Sequence, residues 1–160
     1  MALEGEEAGE QARCGAKLPG DYREFLTTYG ETELLVRLPD DSGELRFYKP
    51  SELATQRDNL FTFITRTNKN HEKVSAYFRE EYGVSLRDLV PVAEPAQASR
   101  CVVIHLEKGA RFGWCFQWDH DDSWELEHPS PNFDAALKAL TDGIEQRDTA
   151  MLSFLGIDLD

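Results

Sequence analysis

The chain has 160 residues, 41% of them hydrophobic and including nine Phe, five Tyr and three Trp; it can bury one core, is too apolar to be disordered, and has apolar runs too short for a bilayer-spanning helix. The formal net charge is −13, from 30 acidic and 17 basic residues, and most of the excess lies in residues 101–160. Such a field excludes phosphate backbones and anionic membrane surfaces as natural partners and attracts basic ones.

Residues 1–17 are acidic, rich in Gly and Ala, and without apolar period, so they read as a flexible acidic N-terminal extension. They lack the basic start and apolar run of a secretory signal. One domain is expected over 18–160. LPGDYREFLTTYG opens it as an amphipathic helix, with Tyr22, Phe25, Leu26 and Tyr29 on one face and Gly30 at the C-terminal cap. Residues 32–38 and 44–48 alternate as two strands joined by the turn-forming PDDSG, which makes a hairpin with an acidic tip.

Pro50 suits the first turn of a helix buried through Leu53, Leu60, Phe61 and Ile64. A further helix over 70–82 turns Val74, Tyr77 and Phe78 inward and closes at Gly83. A brief strand follows around Val90 and Val92, and Pro91 predicts that it is a sheet edge or that the proline is its first residue.

CVVIHLE (101–107) is a strand with Val102, Ile104 and Leu106 on one side and Cys101, Val103 and His105 on the other. KGAR turns into FGWCFQWD (112–119), whose period predicts Phe112, Trp114, Phe116 and Trp118 on one face and Gly113, Cys115 and Gln117 on the other. A loop follows, with a short strand at 124–126. Ser130 can cap a helix with Pro131 in its first turn and Phe133, Leu137, Leu140 and Ile144 as its inner stripe. A last short helix is expected over 147–155. The class is α+β: a mostly antiparallel sheet of hairpins with helices packed against it. Cys14, Cys101 and Cys115 are odd in number and show no CxxC, which fits a reducing cytoplasm better than a disulfide framework.

LPGDYREFLTTYG, FYKPSEL, the block from VPVAE through CVVIHLEKGARFGWCFQWDHD, and PNFDAALKALTDGI occur in an order and spacing that resembles the SUKH superfamily. That group includes yeast cell-wall-assembly regulators and many bacterial toxin-immunity proteins. The resemblance implies a SUKH-like α+β fold and a binding role rather than catalysis. In bacterial members the implied role is neutralising a cognate toxin, often a nuclease with a basic cleft, by stoichiometric contact. The alternative it implies is an intracellular regulatory adaptor for a non-toxin protein.

The partner-binding candidates are Asp40, Asp41 and Glu44 on the first hairpin and Asp119, Asp121, Asp122, Glu125 and Glu127 on the second, with Trp124 as an aromatic anchor. If both hairpins open toward one side, their charges add into one rim. Asp119-His120-Asp121-Asp122 is the densest ligand cluster, but neighbours in a turn seldom converge on one ion, so neither a metal nor a cofactor is expected. Cys101, His105 and Cys115 are expected on one sheet layer, where a Cys–His pair is conceivable; no third orienting group accompanies it, and no enzyme activity is expected.

Overall fold

The computed structural model describes residues 17–37, 43–67, 71–95, 100–119, 125–148, 151 and 154–155. Helix α1 (Gly20–Tyr29) leads into strands β1 (Leu34–Arg37) and β2 (Glu44–Phe47). A 3-10 turn at Pro50–Glu52 starts helix α2 (Leu53–Thr67), and α3 (His71–Tyr82) follows. Strands β3 (Leu89–Pro95), β4 (Arg100–His105), β5 (Cys115–Asp119) and β6 (Leu126–Ser130) precede helix α4 (Phe133–Glu145). The six strands pair antiparallel in chain order. The α+β class read from the sequence is the class observed.

Strand alternation divides the apolar residues between two cores. One sheet face carries Leu45, Phe47, Val90, Val92, Val102, Ile104 and Cys115, and α1, α4 and the segment at Met151, Phe154 and Leu155 cover it. The other carries Leu89, Cys101, Val103, Phe116, Trp118 and Leu126, covered by Leu60 and Ile64 of α2 and Val74 and Phe78 of α3. Every residue from Cys101 to Leu106 is buried, with no more than 4% exposure. At roughly 1.5–3 kcal/mol for each large apolar side chain removed from water, β4 contributes to both cores at once. Its expected alternation is the observed one.

Several expectations change. Pro91 sits in an interior strand as its third residue, not at an edge. The pairing of β2 with β3 covers only Ala93–Pro95, so β2 places no residue opposite the proline, and the β3–β4 register shifts directly after it, between Pro91 and Ala93. Strand β5 starts at Cys115 rather than at 112, since residues 111–113 form a turn with Gly113 at φ 85. That turn separates Phe112 from its predicted companions: it packs on the α1/α4 core, whereas Trp114 packs on the other. Tyr77, expected inward, is 38% exposed. Phe61 is only half-buried and lies under the Arg87 guanidinium, 5.0 Å from its ring centre.

Strand β6 covers Leu126–Ser130, later than the expected 124–126. Ser130 thus belongs to a strand, and Asn132 caps α4 instead, its Oδ1 accepting the Ala135 N–H at 2.8 Å. Of the expected α4 stripe, Phe133, Leu140 and Ile144 are buried together with Ala136, and Leu137 is partly buried. In the C-terminal stretch, Met151 and Phe154 are helical. Residues 147–148 close α4 instead: Arg147, at φ 50, donates to the Ile144 carbonyl at 3.2 Å, and Asp148 N–H donates to the Gly143 carbonyl at 2.9 Å.

The cap is testable in isolation because Asn132 is exposed. Asn132→Ala is expected to cost about 1 kcal/mol in chemical denaturation, and Asn132→Ser to retain most of the stability. Equal losses for both would show that the side-chain acceptor is not what holds the helix start.

Candidate partner-binding surface

Antiparallel pairing places the relevant strand termini together. Arg37 at the end of β1 faces Glu44 at the start of β2, and Leu45 faces Pro95 at the end of β3. Arg100 at the start of β4 faces Asp119 at the end of β5, and Trp118 faces Leu126 at the start of β6. All these positions lie at one end of the sheet. At roughly 4.8 Å per strand interval, Glu44 and Asp119 stand about 14 Å apart across it. Of the candidates from the sequence, Glu44, Asp119, Glu125 and Glu127 are described. Asp40, Asp41, Asp121, Asp122 and Trp124 lie outside the described residues.

Two of the described acids at this end, Glu44 and Asp119, have arginines built opposite them. Arg37 Nε donates to Glu44 at 2.9 Å, and Arg100 Nε donates to Asp119 at 3.2 Å. Between them, Arg46 contacts both Glu52 and Glu94 at 3.2 Å and lies 4.9 Å from the Tyr48 ring centre. Three of these pairs, Arg37–Glu44, Arg46–Glu94 and Arg100–Asp119, are directly cross-strand in register. Such partly exposed pairs contribute a few tenths to about 1 kcal/mol each. Their larger effect is on the field, because each cancels a carboxylate that a sum over the sequence counts as free.

Burial works against the charged forms of Arg46 and Glu52. Their mutual contact outweighs it, with the Lys49 N–H also donating to Glu52, so the guanidinium is held above and the carboxyl below its ordinary range. Glu125 and Glu127 are exposed, and Glu127 faces Gln117 across β5–β6.

Tyr77 and Glu81 are neighbours of this surface that the sequence reading did not include. A hydrogen bond with Tyr82, slight desolvation and the carboxylates of Glu81 and Glu125 raise the Tyr77 phenol above its ordinary range. The exposed ring therefore stands among acids near the start of β6, where Tyr82 Oη accepts the Leu126 N–H at 3.1 Å. The signal available in the sequence was the i, i+4 spacing of Tyr77 and Glu81 on one helix face. The helix periodicity instead grouped Tyr77 with Val74 and Phe78.

The expected Cys101–His105–Cys115 layer is not formed. Cys101 packs in the core under α2 and α3, while Cys115 packs in the opposite one. Cys115 faces Ile104 in register, so it shares the Val102–Ile104 side. Burial pushes the Cys101 thiol up to about 12 and raises the Cys115 thiol as well, which disfavours thiolate at both. His105 is a structural link with both ring nitrogens engaged: Nε2 accepts the Ser85 N–H at 2.9 Å, so Nδ1–H donates to the Arg111 carbonyl at 2.9 Å. Among the described residues, no three His, Cys, Asp or Glu side chains group as metal ligands. No helix among them is long and apolar enough to cross a membrane.

Burial lowers the pKa of His105 from 6.5, against the opposing pull of its bond to the Arg111 carbonyl. The unfolded chain therefore binds the proton more readily. The stability this group contributes is complete above pH 6.5 and is lost as pH falls through the folded value. Urea midpoints are expected to drop on acidification from neutral pH, before the carboxylates titrate. His105→Leu should lose about 1–3 kcal/mol at neutral pH, by orphaning two backbone partners, and should flatten that dependence. An unchanged slope in the variant would assign the effect to another group.

The sequence model of the SMI1 / KNR4 family (SUKH-1) matches residues 8–139. No curated protein matches the chain, and no solved structure does.

Proposed function

The chain belongs to the SMI1 / KNR4 family (SUKH-1), and from that premise we propose that it is a cytoplasmic immunity protein that neutralises a cognate toxin by stoichiometric binding. The family is one of immunity and regulatory proteins, generally without enzymatic activity, which implies a protein partner. The proposed partner is a nuclease effector with a basic substrate cleft, of the polymorphic kind delivered by secretion systems. The proposed contact is the acidic end of the sheet.

The observation that carries this reading is the pairing at that end. Arg37, Arg46 and Arg100 already face carboxylates. In this reading the charge that meets the toxin comes from Asp40 and Asp41 and from Asp121, Asp122, Glu125 and Glu127, in stretches of the sequence (38–42 and 120–127) that hold no Lys or Arg. A negative rim of this kind complements a cleft built to hold phosphates and accelerates encounter with it. Trp124, within the second segment, supplies an aromatic anchor for a pocket on the toxin. The mechanism is occlusion, with no bond made or broken.

The test is co-expression with the product of the neighbouring gene, followed by binding kinetics at low and high salt. Association is expected to slow on the order of tenfold with salt, and by a similar factor in a Glu125→Lys, Glu127→Lys double variant, with dissociation changing less. Alanine at Asp119, Asp121 and Asp122 together should weaken inhibition. An intact complex whose kinetics ignore both salt and these substitutions would refute the acidic end as the contact.

A further inference from the structure

A cleft of about 280 Å³ lies between β5, β6 and α4, on the α1/α4 side of the sheet. Ala136, Leu140 and Met151 give it an apolar wall, and Gln117, Ser130 and Asp148 give it polar groups. His128 also lines it. The side chains of these four polar residues make no hydrogen bond or ion pair with another described residue.

The backbone around the cleft is strained. Among the described residues, only His128 at φ 51 and Arg147 at φ 50 are non-glycine residues with positive φ. Such placements are unfavourable for residues with a Cβ, and such outliers concentrate where a site is being shaped. Both border this cleft. His128 and Pro129 form a bulge, two residues of β6 opposite Phe116 alone, because Glu127 pairs with Gln117 and Ser130 with Cys115. Arg147 directs the chain so that Asp148 and Met151 come back over α4. Gly143 permits this approach, since a Cβ there would lie 3.1 Å from Met151 Cβ.

We propose that this cleft receives the side chain of one arginine presented by a basic partner protein. The aliphatic stem lies along Ala136, Leu140 and Met151, and the guanidinium meets the Asp148 carboxylate with Gln117 Oε1 and Ser130 Oγ as further acceptors. A cleft of about 280 Å³ has room for a single long side chain. Charge favours this occupant. Asp148 is the formal charge in the lining, Glu127 adjoins His128, and residues 101–160 carry 12 acids against 4 bases. A planar fork of five donors matches a set of acceptors, and an amphipathic stem matches the wall. The proposal rests on the protein-partner reading above but concerns a separate surface.

The test uses the full chain, labelled with nitrogen-15, titrated with N-acetyl-arginine amide and, separately, with uncharged N-acetyl-norleucine amide. The arginine probe is expected to shift the backbone amides of Gln117, Ser130 and Asp148 saturably, and norleucine to do so more weakly. Asp148→Asn should weaken arginine binding about fivefold or more. Ala139→Trp, which fills the cleft from an exposed helix position without changing charge, should abolish it. No shifts at those residues, equal response to both probes, or binding indifferent to both variants would overturn the proposal. So would binding that emerges only after deletion of 156–160, which would assign the cleft to the chain's own C-terminus. A silent cleft beside a salt-sensitive toxin complex refutes this inference alone; a responsive cleft beside a salt-insensitive complex refutes only the acidic-end reading.

Discussion

Strand β4 is the constraint on which the rest of the molecule depends. It is buried on both faces, and its side chains divide strictly between two cores. A one-residue slip against β3 or β5 would exchange the contents of those cores and leave both badly packed. The in-register partners Val103–Phe116 and Ile104–Cys115 therefore determine where β5 ends. They also determine that Asp119 meets Arg100 at the same end of the sheet where Glu44 meets Arg37. The charged surface thus follows from an apolar requirement several residues away.

Much of this was legible in the sequence wherever a period was long and unbroken. The alternation of CVVIHLE, the faces of α1 and α4 and the hairpin around PDDSG each carry enough residues to specify their element. The reading failed where a backbone irregularity reset the pattern. Gly113 breaks the apparent period of FGWCFQWD, so Phe112 joins a layer that strict alternation did not give it, while Cys115 keeps the face opposite Phe116 and Trp118. The bulge beside Pro91 admits a proline into an interior strand. At α4 the sequence points to Ser130 as the cap, but Ser130 pairs with Cys115 in a strand and Asn132, two residues on, caps the helix.

The candidate surface was legible in composition and only partly in geometry. Counting Asp and Glu locates the charge excess, but cross-strand register decides which carboxylates meet an arginine. Glu44 and Asp119 are such cases. Tyr77 was hidden for a different reason: it neighbours Phe78 in sequence, and the helix turns one ring into the core against Trp118 while leaving the other outside. The cleft beside α4 left no mark in the sequence, because it is made by two left-handed residues, His128 and Arg147, that no periodicity announces.

The irregular course of β6 also bears on how the protein behaves in a crowded solution. A sheet's outer strand ordinarily offers a row of donors and acceptors on which another chain can template itself. Here that margin contains a proline, which has no N–H to offer, directly after a residue twisted out of extended geometry. Continuous pairing along this border is interrupted at its middle. That border is therefore a poor template for a further strand.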